Sequence, residues 1–148
     1  MTRFRFRLDR VLKLREGVEK LRAADLGRAL SDEARQQGHL AEAESGLERA
    51  HDSATAAPAQ VPAGTLHARS QALQAAADRV RDAAEDSRRA AERTEAERER
   101  FDLARRERES LERLKVTRES NWRTEAGRLE QNDVDEIVRQ RRERGDSR

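Results

Sequence analysis

The chain has 148 residues, 42% of them charged and 3% aromatic, with 32 basic side chains against 30 acidic ones. Its 34% apolar content is rich in alanine, too few large side chains to offset the conformational entropy of a globule. Near-cancelling charge and only two prolines argue against disorder, which leaves an elongated helical protein as the expectation.

The opening, Met1 to Leu8, is basic but lacks the apolar stretch of a secretory signal. No apolar run approaches the roughly 18–20 residues of a membrane span. A cytoplasmic protein with no direct membrane insertion is therefore expected. Without cysteine there is neither a disulfide framework nor thiol chemistry.

A first helix is predicted over about residues 4–53. Its apolar residues are Leu8, Val11, Leu12, Leu14, Val18, Leu21, Leu26, Leu30, Leu40 and Leu47. That seam drifts between Leu21 and Leu26, a discontinuity that locally changes coiled-coil winding. Gly17, Gly27, Gly38 and Gly46 each cost roughly 1 kcal/mol against alanine, so this helix needs a partner face. Charge is uneven along it. Residues 1–22 hold eight Arg/Lys against three acids, and residues 23–56 hold three against seven.

A turn is predicted over 54–64, because Pro58 and Pro62 are excluded from a helix interior. Thr65 is the expected N-cap of the next helix, predicted over about 65–144. Stepping by seven from Leu66 reaches Leu73, Val80, Ser87, Thr94, Phe101, Arg108, Lys115, Trp122 and Leu129. Ala76, Ala83, Ala90, Ala104 and Leu111 follow three residues behind members of that row. A sustained seven-residue repeat indicates a coiled coil. Arg108 and Lys115 interrupt it, with their stems packed and their heads in water.

A turn centred near residue 60 sets residue i beside about residue 120 minus i. Leu47 then meets Leu73, Leu40 meets Val80, Leu30 meets Ala90, Val18 meets Phe101 and Leu8 meets Leu111. The expected fold is all-α: one domain, a long antiparallel two-helix coiled-coil hairpin with unequal arms, monomeric when free. The second helix overhangs the first by somewhat under 30 residues, about 40 Å at the helical rise. Trp122, Leu129, Val134 and Ile137 sit on that overhang without an intramolecular partner, as a docking surface. Arg139, Arg141, Arg142 and Arg144 add positive charge there, suited to an acidic partner.

Enzyme chemistry is not expected. The chain has no phosphate-binding or dinucleotide-binding glycine loop and no Ser-His-Asp or Cys-His arrangement. No cofactor or metal is expected. His51 and His67, with Asp52, fall near one another in the hairpin, but structural zinc usually takes four ligands, so solvated histidines are the better reading. The isoelectric point near 9.6 hints at nucleic acid, yet the net charge is only +2. A basic-region zipper also has no use for the Pro58–Pro62 turn. No nucleic-acid partner is expected.

The segment Phe4-Arg5-Phe6-Arg7-Leu8-Asp9-Arg10-Val11-Leu12-Lys13-Leu14-Arg15-Glu16 resembles the start of the FliJ family, the flagellar type III export stalk proteins. The family opens Phe-x-Phe-x-Leu-x-x-Val-Leu. Val134-Asp135-Glu136-Ile137-Val138-Arg139-Gln140-Arg141-Arg142 is similar to the family's closing Leu-Asp-Glu pattern with trailing arginines. The resemblance implies a non-enzymatic stalk whose termini-bearing end enters the pore of a hexameric export ATPase. It also implies contact with the cytoplasmic domain of the membrane export gate and with export chaperones. Carried onto this chain, the ring contact involves Phe4, Phe6, Leu8, Val11, Leu12, Leu14, Arg15, Val134, Asp135, Glu136 and Ile137. The gate contact lies toward the turn, where Leu73 to Val80 is alanine-rich, and no gate residues are assigned. The alternatives are the equivalent stalk of a virulence secretion system and a general coiled-coil adaptor.

Overall fold

The computed structural model describes residues 3–56 and 61–145, apart from the side chains of residues 141 and 143–145. Two helices account for almost all of it: α1, Asp9–Thr55 (47 residues), and α2, Ala63–Gly145 (83 residues). They pack antiparallel, as an all-α coiled-coil hairpin with arms of unequal length.

The helix ends follow backbone bonding rather than the seam. Residues 3–6 are not helical, and the chain turns at Arg7 and Leu8. The Asp9 amide donates to the Phe6 carbonyl (3.2 Å) and the Leu12 amide to the Leu8 carbonyl (2.9 Å). Asp9 then occupies the first turn, where a carboxylate meets the positive end of the helix dipole. The first helix thus starts at Asp9 instead of near Phe4. The second starts two residues before Thr65: the Pro62 carbonyl accepts from the Thr65 (2.9 Å) and Leu66 (3.3 Å) amides. Proline lacks the amide hydrogen that a helix start leaves unbonded, so it costs nothing there. Pro58 lies outside the described residues.

The chain divides into two compact units, residues 1–19 with 104–148, and residues 20–103. In the unit of residues 20–103, the inward positions of α2 are Leu73, Ala76, Val80, Ala83, Ser87, Ala90, Thr94, Glu97 and Phe101. Ala76, Ala90 (1% exposed) and Thr94 (2%) are buried. Thr94 satisfies its hydroxyl locally by donating to the Ala90 carbonyl (3.1 Å). On α1 the inward row here is Leu26, Ala29, Glu33, Gln36, Leu40, Ala43, Leu47 and Ala50. Small side chains on both sides permit close approach at little buried area per layer. Glu97 occupies a seam position that the apolar count skipped. It pairs with Arg100, while its Oε2 is buried without a hydrogen-bond partner.

In the unit of residues 1–19 and 104–148, Leu12 (4% exposed) and Ala104 are the buried apolar residues among those described. Arg15 and Glu19 continue the inward row of α1, and Arg108, Leu111 and Lys115 that of α2. The alternating three- and four-residue spacing is unbroken from Leu12 to Ala50, so the drift expected between Leu21 and Leu26 is not present. Val11, Leu14, Leu21 and Leu30 are exposed instead.

The register also differs from expectation. Asp9 meets Lys115 and not Leu111, Arg15 meets Glu107 and not Arg105, and Glu19 meets Arg108 and not Phe101. In the other unit, Asp32 meets Arg93 and not Arg88. The reason is the chemistry of α2. An apolar row on α1 would set Val11, Leu14 and Val18 against Arg108 and Lys115, and even partly covered cations favour a counter-charge over an apolar neighbour. The polar row supplies it.

Candidate partner-binding site

The unit that holds residues 1–19 and 104–148 contains every residue singled out for partner contact. Its helix pair is joined by charge. Arg15 Nη1 donates to Glu107 Oε2 (2.6 Å), and Lys115 Nζ donates to Asp9 Oδ1 (3.0 Å). Arg108 donates to Glu19 across the pair and to Glu112 along its own helix. These contacts perturb the ionisations. Hydrogen bonds from Lys115 and Lys13 hold the Asp9 carboxyl below the usual carboxylate range. A hydrogen bond from Arg105 does the same for Glu109, and the bonds to Glu19 and Glu112 raise Arg108 further.

The non-helical segment before α1 continues along α2. Phe4 packs on Trp122 with ring centroids 6.0 Å apart and planes at 49°, a tilted arrangement favoured by the ring quadrupoles. Lys115 Nζ sits 6.0 Å from the centre of the Phe6 ring, within cation–π range. Trp122 therefore has an intramolecular partner, contrary to expectation. An extended residue covers more than twice the length of a helical one, so a few residues before Asp9 reach as far as Trp122. The half-buried positions of α2 end at Ala126, and residues 127–140 are all exposed. The uncovered stretch is accordingly shorter than the sequence suggested.

The predicted residues fall into three groups. Leu12 is buried in the seam, and Arg15 pairs with Glu107 while staying partly exposed. Phe4, Phe6 and Trp122 are half-buried, Phe4 paired with Trp122 and Phe6 facing Lys115. The remainder are exposed: Leu8, Val11, Leu14 (66%), Leu129 (65%), Val134 and Ile137 (52%), with Glu136, Arg139 and Arg142. Asp135 is also exposed and accepts from Gln131 Nε2 (3.0 Å). The side chains of Arg141 and Arg144 lie outside the described residues. Val138 and Leu114, absent from the sequence-based set, are exposed as well. The exposed apolar positions 134, 137 and 138 follow helical spacing, a signal that Val138 shares with its neighbours.

His67 Nε2 lies 3.1 Å from Gln71 Nε2, and among the described residues no three His, Asp or Glu side chains converge as metal ligands. No described helix is long and apolar enough to cross a membrane.

A family model described as "Flagellar FliJ protein" matches residues 4–147. The chain belongs to the FliJ family. It is thus a protein associated with flagellar export and biogenesis, from a family that is non-catalytic. No curated protein and no solved structure matches it. The FliJ match spans both segments quoted above, the Phe-x-Phe-x-Leu opening and the arginine-trailed close.

Proposed function

We propose that this chain is a cytoplasmic, monomeric stalk that binds a hexameric export ATPase and links it to the export gate and export chaperones, at the cytoplasmic face of the inner membrane. It carries out no reaction itself. The observation that carries this reading is the uncovered apolar run of α2. Leu129, Val134, Ile137 and Val138 are exposed beside the exposed cations Arg139 and Arg142, in a family of export proteins. Large apolar side chains on an otherwise polar helix lose free energy in water that a partner surface restores. The Phe4–Trp122 and Phe6–Lys115 contacts hold the segment before α1 against α2 on the N-terminal side of that run. A stalk of this kind acts by binding best to one arrangement of the ring, which shifts the ring's population toward it.

The test is turnover and hexamer formation of the matching export ATPase with and without the purified chain. The chain is expected to raise one or both, and Ile137→Glu to lose most of that rise. No change on adding the intact protein overturns the reading.

A further inference from the structure

In the unit of residues 1–19 and 104–148, exposed apolar side chains of both helices flank a cross-helix ion pair. That pair is Arg15–Glu107 at 2.6 Å. On α1, Val11 and Val18 lie four and three residues from Arg15, and Leu14 lies between them on the same face. On α2, Leu114 lies seven residues from Glu107, on Glu107's face of a heptad helix. The bridge therefore brings one wall of Val11, Leu14 and Val18 opposite a second wall containing Leu114. Val11, Leu14 and Leu114 are exposed and Val18 is half-buried. A Cβ on Gly17, beside Leu14 and Val18, would meet nothing within 4 Å, so that wall is open to close approach.

The charge at the rim is one-sided. Arg10 stands one turn from Leu14 and Arg118 one turn from Leu114. Both are exposed, and neither forms an ion pair among the described residues. The acid between the walls, Glu107, is paired with Arg15. The used seam offers no alternative burial for the apolar wall, because α2 presents Arg108 and Lys115 there.

We propose that these two walls form a groove that takes an amphipathic helix of a partner protein, apolar on one face and flanked by Asp or Glu side chains. Three or four apolar residues at helical spacing seat between Val11, Leu14, Val18 and Leu114. The flanking carboxylates meet Arg10 and Arg118, which fixes the partner's orientation and disfavours basic helices. A second copy of this chain brings arginine rims against arginine rims and is the poorer occupant. The proposal rests on the reading that partners dock on this unit, and names a surface and a partner chemistry for it.

The test uses the full chain and two labelled helical peptides of about six turns, both with leucines on one face. One has glutamates flanking the leucines and the other has lysines. Anisotropy is expected to show the glutamate peptide binding at least about tenfold more tightly than the lysine peptide. Leu14→Glu is expected to weaken it by about tenfold or more. Val116→Glu, at an exposed position outside the groove, is expected to leave it unchanged, with circular dichroism confirming that both variants fold. Equal affinity for the two peptides, no binding, or indifference to Leu14→Glu overturns the proposal. Self-association of the chain that Leu14→Glu abolishes also overturns it, in favour of a second copy. Stimulation of the export ATPase, measured on the same preparation, separates the readings. Stimulation without peptide binding removes the groove and leaves the stalk, and peptide binding without stimulation does the reverse.

Discussion

The two units of this chain join the same two helices by different means. Around Ala76, Ala90 and Thr94 the seam's buried side chains are small and uncharged, with Glu97 the charged exception at their edge. Around Asp9, Arg15 and Glu19 it is a ladder of cross-helix ion pairs, with Leu12 the one large buried side chain among the described residues. Small side chains allow backbones to approach and act through short-range packing, which salt does not screen. Partly exposed ion pairs add little net stability; their best-attested use is to specify register and orientation. Assigning the polar face of α1 to the seam has a further consequence: Val11 and Leu14 are left facing outward, free for a partner. The seam of the charged unit is thus suited to fixing register, and the alanine-rich seam to close packing.

That contrast is most directly broken at Leu12. Leu12→Ala removes the large buried apolar group of the charged unit and is expected to cost about 2–3 kcal/mol in chemical denaturation. Hydrogen exchange is expected to rise first over residues 9–19 and 107–115. An equal rise around Ala90 and Thr94 would show that the units do not differ in stability.

Ala90→Leu attacks the other seam in the opposite sense. With Ala90 at 1% exposure, there is no room for an isobutyl group without separating the helices. Overpacking of this kind is expected to cost about 1–3 kcal/mol, read as a lower denaturation midpoint with exchange rising first around residues 76–94.

Acid sharpens the comparison. Asp9 and Glu109 have carboxyls lowered in the folded protein. Their contribution is therefore fully present above the usual carboxylate range and is lost as pH falls through the lowered values. Amide protection over residues 9–19 and 105–115 is expected to fall in that acid window while protection around Ala76 to Thr94 persists. Raising salt from about 0.1 M to about 1 M shortens the screening length and is expected to act on the same segments more weakly. Protection that is lost together at both seams would count against a charge-held unit.

The smallest effect concerns Gly27, where an added Cβ meets nothing within 4 Å. Gly27→Ala is expected to raise stability by about 0.5–1 kcal/mol through the unfolded chain's entropy and helix propensity, seen as a modest rise in Tm. A fall in Tm would mean that the position carries a contact the helix pair does not explain.

Much of this was legible without coordinates. The heptad of α2 from Leu73 through Ala76, Val80, Ala90, Thr94, Phe101, Ala104 and Leu111 to Trp122 is a one-dimensional pattern, and the half-buried and buried positions follow it. Pro62 marked a break between helices because its ring and missing amide hydrogen act locally. Two helices, their antiparallel pairing and the FliJ likeness were all available from residues alone.

Which face of α1 turns inward was not. Leu14 and Leu21 outrank Arg15 and Arg22 in hydrophobicity, and an apolar count places them in the seam. Their neighbours across the pair are set by α2, where Arg108 and Lys115 hold seam positions and require Glu19 and Asp9 opposite them. Burial of a charge depends on a counter-charge distant in sequence, so only the folded pair decides it. The same holds for Trp122, whose cover is Phe4: an extended segment reaches farther than a helical one, and the length of that segment is settled by the bonds that start α1 at Asp9.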